Sequence, residues 1–163
     1  MSAKPEDDHL TLDQQVCFAL TVADRRVVSV YRPLLEPLGL THPQYLLMIA
    51  LWEMSPVGMR DLGRRLALDS GTLSPLVTRL VAQGLVERRR GPDERSVTVA
   101  LTPRGDALRE RARSVPTEVR RRLGVSEARL QALHELLAEI VAAAEVVPGA
   151  PLEERGDRGQ LHA

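Results

Sequence analysis

Cys17 has the most distinctive chemistry in the sequence, because it is the only cysteine among 163 residues. A single cysteine forms no disulfide within its chain and supplies no multi-thiolate metal site. It therefore serves as a small buried hydrophobe, as a reactive thiol or as a crosslink to another molecule. A thiol reduces a peroxide only as the thiolate, which a free cysteine seldom adopts at neutral pH unless a helix N-terminus or nearby donors stabilise the anion.

Tyr31 is the second residue of chemical interest, and its distance from Cys17 limits what it can do. Apolar residues recur every three or four positions from Leu12 to Leu34, which predicts one amphipathic helix over residues 12–35. Fourteen residues separate Cys17 from Tyr31, or about 21 Å along a straight helix at ~1.5 Å per residue. If Tyr31 serves the sulfur, it must come from a second copy whose first helix runs antiparallel to this one.

A helix-turn-helix is predicted in the segment from Met59 to Gln83. MRDLGRRLAL reads as a short helix, and Asp69 or Ser70 caps the next helix, which runs from about residue 71 to residue 83. Its outward side chains could read base edges or phosphates, with the arginine holding the DNA backbone; an ordinary solvated helix face is the alternative. These outward residues are Ser70, Thr72, Ser74, Thr78 and Arg79.

A β-wing is predicted after Gly84, which ends the helix. LVERR and RSVTVAL alternate apolar with polar residues, and GPDE between them supplies turn residues. The wing arginines could enter a minor groove or grip phosphates, although Arg95 can instead pair with Asp93. They are Arg88, Arg89, Arg90 and Arg95.

Helices are predicted on both sides of this block. Thr41 caps a helix that runs to Met54, Thr102 starts another that reaches about Arg113 and resumes from Pro116 to Arg122, and Ser126 opens the last. The tail beyond Pro148 is rich in Gly and Pro and is expected to be disordered. The sequence therefore predicts a mainly α fold with a small β-wing, a winged helix-turn-helix.

The composition, with 44% hydrophobic and 27% charged residues, fits one globular domain. A formal net charge of zero argues against a protein that coats nucleic acid indiscriminately. The longest apolar run, LLMIALW, is too short to cross a bilayer, and the acidic start MSAKPEDDHL is unlike a signal peptide, so no membrane association and a cytoplasmic location are expected. The carboxylates and four scattered histidines lack metal-ligand spacing, so neither a metal nor a cofactor is expected.

The block DSGTLSPLVTRLVAQGLVERRRGPDERSVTVALTPRG, with its Asp93-x-Arg95 wing element, resembles the MarR family of dimeric winged-helix transcription regulators. The resemblance extends over residues 8–147. It implies one domain over residues 1–147, in which residues 10–40 and 103–147 form a helical dimerisation region and residues 41–102 form a DNA-binding lobe. It also implies a homodimer that binds a pseudo-palindromic double-stranded operator.

Within that family, LDQQVCFAL, YRPLLEPLGLTHPQYL and LDSGTLSPL resemble the organic-hydroperoxide-sensing OhrR branch. This resemblance implies a repressor that releases its operator when an organic hydroperoxide oxidises Cys17. Lacking a second cysteine, the chain matches the one-cysteine kind, in which the oxidised sulfur pairs with a small external thiol. Tyr31 matches a tyrosine that hydrogen-bonds the sulfur, and Tyr45 is kept, whereas Thr21 and His42 replace tyrosines of other members, with His42 a candidate to line the pocket.

Two other functions remain open at this stage. A MarR-type repressor could instead be released by a noncovalent ligand such as a phenolic acid. A thiol peroxidase using Cys17 is a third reading, but no second cysteine resolves a sulfenic acid and a helix-turn-helix has no use in an enzyme. The chain is therefore expected to be a regulator and not an enzyme.

Overall fold

The computed structural model describes residues 11–90 and 97–146. The wing-tip residues Asp93 and Arg95 and the tail of residues 148–163 lie outside this range. The described chain is mostly helical with a small antiparallel sheet, which confirms the predicted fold class. Its elements are α1 Val16–Leu35, α2 His42–Met54, β1 Val57–Gly58, α3 Met59–Leu66, α4 Ser70–Ala82, β2 Val86–Arg90, β3 Val97–Leu101, α5 Pro103–Ala112, α6 Val115–Leu123 and α7 Glu127–Glu145.

Helix α1 begins four residues later than the apolar pattern suggests. A 3-10 turn, Leu12–Gln14, precedes it, so Cys17 lies in the first turn of α1 and not within its body. Pro33 is tolerated near the other end of the helix. A second 3-10 turn and Gly39, which has a positive φ of 70°, then reverse the chain toward α2.

The core lies in the winged helix-turn-helix and is centred on α2. Thr41 caps α2 in a capping box with Gln44, in which each side chain bonds the other residue's backbone N–H. Helix α4 begins after the Asp69 cap and is followed by Gly84 in the left-handed conformation, as its sequence predicts. The side chains with no exposed surface join α2, α3, α4 and β3: Leu47, Met48, Leu51, Leu62, Val77, Leu80 and Val99.

The wing is part of a three-stranded sheet in the order β1-β3-β2. Val86 pairs with Leu101 and Arg90 with Val97, which gives the predicted hairpin. Strand β1 was not predicted, because two residues are too short to show an alternating pattern. It pairs antiparallel with β3 and ties the wing to the start of α3.

A close approach between backbones fixes α5 against the wing. A Cβ atom added at Gly105 would lie 1.9 Å from the carbonyl oxygen of Leu85, so only glycine fits there. The Trp52 indole also donates a hydrogen bond to the Gly105 carbonyl, at 3.0 Å. Helices α2 and α5 and the base of β2 are therefore locked together.

The outer helices are largely uncovered in the single chain. Helix α7 has no buried residue, and α1 buries only Leu35. Large apolar side chains are exposed along both: Val16, Phe18, Leu20, Leu133, Leu136, Ile140 and Val141. Patches of this kind mark surfaces that another molecule covers. Among the described residues, no helix is both long and apolar enough to span a membrane.

Candidate functional site

Three of the predicted redox-site residues meet where α1 ends and α2 begins. The ring centroids of Tyr31 and His42 are 4.8 Å apart, and those of Tyr31 and Tyr45 are 6.0 Å apart. The turn through Gly39 folds the first turn of α2 back against the last turns of α1, which brings these rings together. Tyr45 is buried, whereas Tyr31 and His42 are half-buried. We call these three residues the aromatic cluster.

The aromatic cluster favours neutral side chains that can hydrogen-bond. Burial lowers the pKa of His42 below its usual 6.5, and Asp24 offsets part of that shift, so the imidazole is neutral at neutral pH. Burial raises the pKa of Tyr45 above its usual 10, and the nearby Tyr31 raises it further. The Tyr45 phenol therefore keeps its proton. A protonated phenol can donate a hydrogen bond to an anion such as a thiolate.

Cys17 is exposed at the opposite end of α1. The fourteen residues that separate it from Tyr31 lie on one continuous helix, so the two side chains are about 21 Å apart along its axis. Thr21, which replaces a tyrosine of the resembled branch, donates its hydroxyl hydrogen bond to the Cys17 carbonyl oxygen at 2.8 Å. Within one chain, the structure assembles the aromatic cluster and leaves the thiol outside it.

Helix α4 presents the side chains that the sequence assigns to DNA. Its N-cap Asp69 accepts hydrogen bonds from the Thr72 backbone N–H at 2.7 Å and from the Thr72 hydroxyl at 2.9 Å. These bonds lower the pKa of the Asp69 carboxyl and keep it ionised. Ser70, Thr72, Thr78 and Arg79 are exposed, whereas Ser74 is half-buried.

Arg88 of β2 contacts both Ser74 and Thr78 of α4. Its Nη2 lies 2.9 Å from the Thr78 hydroxyl oxygen, 3.2 Å from the Ser74 carbonyl oxygen and 3.4 Å from the Ser74 hydroxyl oxygen. A wing arginine that was predicted to reach DNA thus also contacts the middle of α4.

The other arginines of this surface differ in their partners. Arg89 donates to the Glu87 carboxylate at 2.7 Å. Arg90 is exposed at the end of β2. The guanidinium of Arg79 makes no hydrogen bond or ion pair within residues 11–90 and 97–146, although the Arg79 carbonyl accepts from the Gln83 N–H at 3.0 Å. The Arg79 guanidinium is therefore the side-chain cation of α4 that a phosphate could contact.

Two long-range hydrogen bonds connect the loop after α1 to α4 and α5, and no sequence pattern predicts either of them. Gln83, at the end of α4, donates to the Gly39 carbonyl at 3.0 Å. Arg111 of α5 donates to the Pro37 carbonyl at 2.8 Å. A cleft of about 630 Å³ lies beside the first of these bonds, bordered by Arg32, His42 and Arg79 among others. Within the described residues, no group of three or more His, Cys, Asp or Glu could hold a metal.

Comparisons with known proteins agree with this geometry. The sequence pattern of the MarR family matches residues 40–97. An organic hydroperoxide resistance transcriptional regulator of Bacillus subtilis (strain 168) is 38% identical over 141 residues, covering 86% of this chain and 94% of the relative. A probable transcriptional regulator from Pseudomonas aeruginosa has 32% identity and a TM-score of 0.73, covering 80% of this chain and 99% of the other. Reduced AbfR of Staphylococcus epidermidis bound to DNA has 28% identity and a TM-score of 0.68, covering 83% of this chain and 96% of the other.

These matches agree in fold and in class of protein. The Bacillus subtilis and Pseudomonas aeruginosa proteins are named as transcriptional regulators, which confirms that the chain is a regulator and not an enzyme. The winged helix-turn-helix, the helices around it and the near-complete coverage of a relative 38% identical lead to one conclusion. The chain belongs to the MarR family of transcriptional regulators.

Proposed function

We propose that this protein is a homodimeric repressor that releases its operator when an organic hydroperoxide oxidises Cys17. The observation that carries the proposal is the placement of an exposed thiol in the first turn of α1 and of the aromatic cluster where α1 ends and α2 begins. The similarity to a regulator named for organic hydroperoxide resistance supports the choice of oxidant.

The dimer supplies what one chain lacks. Two copies that cover each other's exposed faces of α1 and α7 bury the apolar side chains that the single chain leaves in water. An antiparallel arrangement of the two α1 helices places each Cys17 beside the aromatic cluster of the other copy. Each sensing site is then built from both chains, with the thiol from one and the phenols from the other.

The chemistry of sensing needs only the thiol, the peroxide and a small thiol. The thiolate attacks one peroxide oxygen, the O–O bond breaks, and the second oxygen leaves as an alcohol after taking a proton. The sulfur is thereby oxidised to a sulfenic acid. A small thiol then condenses with the sulfenic acid, which forms a mixed disulfide and releases water.

The bulky mixed disulfide acts on DNA through the loop after α1. This loop is held to α4 by the Gln83–Gly39 hydrogen bond and to α5 by the Arg111–Pro37 hydrogen bond. A shift of α1 at the dimer seam therefore moves both α4 helices. Two recognition helices read successive major grooves about 34 Å apart only while their spacing is kept.

The proposal is tested by operator-binding titrations at fixed salt with and without cumene hydroperoxide. The wild-type protein is expected to bind a pseudo-palindromic duplex and to be released by the peroxide, whereas Cys17→Ser stays bound. Ser29→Ala, which alters another exposed side chain of α1 and keeps the thiol, serves as the matched control and is expected to behave as wild type. Release of Cys17→Ser at the wild-type peroxide dose would refute the proposal.

A second candidate is release by a noncovalent phenolic acid. The cleft of about 630 Å³ favours it, because Arg32 and Arg79 border a space of the size that small ligands occupy. Mass spectrometry separates the two candidates: the redox proposal requires a mass increase on Cys17 after peroxide and small thiol. A ligand-released protein keeps its mass and is released by the acid alone.

A further inference from the structure

We propose that Arg88 is a positioning residue rather than a contact to a DNA phosphate. It determines which side-chain hydroxyl groups of α4 can donate a hydrogen bond to DNA and which can only accept one. The inference rests on the DNA-binding part of the proposed function and adds which atoms of α4 can donate to DNA. It starts from the side chain's position. Arg88 lies on the same face of β2 as the buried Val86, two residues away, and this face packs against α4.

The polarity of the Thr78 hydroxyl follows from its two partners. A carbonyl oxygen only accepts hydrogen bonds, so Thr78 donates its single hydroxyl proton to the Ser74 carbonyl at 2.9 Å. A guanidinium only donates, so the Thr78 oxygen accepts from Arg88 at 2.9 Å. Thr78 therefore has no proton left for DNA. It can only accept a hydrogen bond or offer its methyl group.

Ser74 is left in the opposite state. Its hydroxyl oxygen accepts from Arg88 at 3.4 Å, so its own proton stays free for an acceptor on DNA. Thr72 resembles Thr78, because its proton is given to the Asp69 carboxylate at 2.9 Å. Phosphate oxygens only accept, which excludes Thr72 and Thr78 as phosphate contacts while these bonds last. Both threonines are instead suited to the amino groups of cytosine or adenine and to the thymine methyl.

The Nη2 atom of Arg88 has few hydrogen-bond donors left to offer DNA. That nitrogen carries two hydrogens and faces three acceptors on α4. The guanidinium therefore joins β2 to the middle of α4 and holds Ser74 and Thr78 in one orientation. Loss of this contact should weaken discrimination between sequences, because the reading side chains lose their fixed direction. It should leave the number of neutralised phosphates unchanged.

The salt dependence of binding distinguishes this role from a phosphate contact. We would measure affinities of wild type, Arg88→Met, Arg88→Lys and Arg79→Met over a salt series. The probes are a duplex selected from a random pool by the wild-type protein and a shuffled duplex of the same composition. Arg79→Met is the matched comparison. Its loss of a phosphate contact should weaken binding to both duplexes alike, and the fall of log K with log salt should become less steep by about one.

For Arg88→Met, the ratio of affinities for the selected and shuffled duplexes should fall roughly 5- to 100-fold with the salt slope unchanged. Arg88→Lys should also lose part of this ratio, although it keeps the charge. In a Ser74→Ala and Thr78→Val background, Arg88→Met should lower the ratio little further, which a general loss of stability would not reproduce. The inference would be overturned if Arg88→Met made the fall of log K with log salt less steep by about one and left the ratio of affinities for the two duplexes unchanged. A wild-type protein that selects no duplex would instead refute the proposed DNA binding itself.

Discussion

The proposed sensing site predicts that a mixed dimer can restore what each mutant chain has lost. The perturbation is to combine one Cys17→Ser chain with one Tyr31→Phe chain in a heterodimer, isolated by two different affinity tags. The thiol and the Tyr31 phenol lie at opposite ends of α1, about 21 Å apart along its axis. If each site draws on both chains, one site of this heterodimer is complete and the other lacks both groups.

The size of the effect follows from the hydrogen bond that Tyr31 supplies. A hydrogen bond to a charged group contributes about 1.5–3 kcal/mol, and ~1.4 kcal/mol is a factor of ten. A Tyr31→Phe homodimer should therefore be oxidised roughly 10- to 100-fold more slowly than wild type. The mixed dimer should show a fast phase at the wild-type rate, with half the wild-type amplitude because only one complete site remains.

The assay is the rate of sulfenic acid formation with cumene hydroperoxide, followed by trapping with a thiol-specific reagent and mass spectrometry. The reciprocal heterodimer is the control, with both substitutions in one chain and none in the other. There each site lacks one group, so no fast phase is expected. A fast phase in the reciprocal heterodimer and none in the first would place the thiol and the phenol of a site on the same chain, and the reasoning would be refuted.

Three further outcomes are expected. Gln83→Leu should raise the peroxide dose needed for operator release by roughly 2- to 30-fold while leaving the oxidation rate unchanged, and an unchanged dose would count against the relay through this bond. Gly105→Ala should lower the free energy of unfolding in denaturant titrations by about 1–3 kcal/mol, because its Cβ meets the Leu85 carbonyl. Gly58→Ala should change it little, because the added Cβ makes only an ordinary contact, 3.8 Å from an Asp61 carboxylate oxygen. The unfolded state binds a proton on His42 at higher pH than the folded state, so stability should fall as pH drops below 6.5, and His42→Gln should flatten that dependence.

Much of the architecture was predictable because its determinants are local. Thr41, Asp69, Thr102 and Ser126 each cap a helix with a side chain bonded within three residues, and this spacing is visible in the sequence. Gly84 likewise marks a helix end because few other residues adopt its positive φ.

What the sequence left out depends on contacts between distant residues. Strand β1 exists only through its pairing with β3, and the Gln83 and Arg88 hydrogen bonds join residues that no periodic pattern relates. The residues of the aromatic cluster were chosen from the family resemblance and not from their spacing, because Tyr31 and His42 belong to different helices. The DNA-reading roles of the α4 side chains and of the wing arginines stay predictions, as does the redox role of Cys17.

Because α7 is uncovered in the single chain, the stability of this protein should depend on its own concentration. Nineteen helical residues without one buried side chain receive almost no help from the rest of their chain, and an isolated helix of such length is marginal in water. Its cohesion must then come by mass action from whatever covers it, so the melting temperature should climb as the solution is concentrated. Dilution would loosen α7 long before it disturbed the interior around α2.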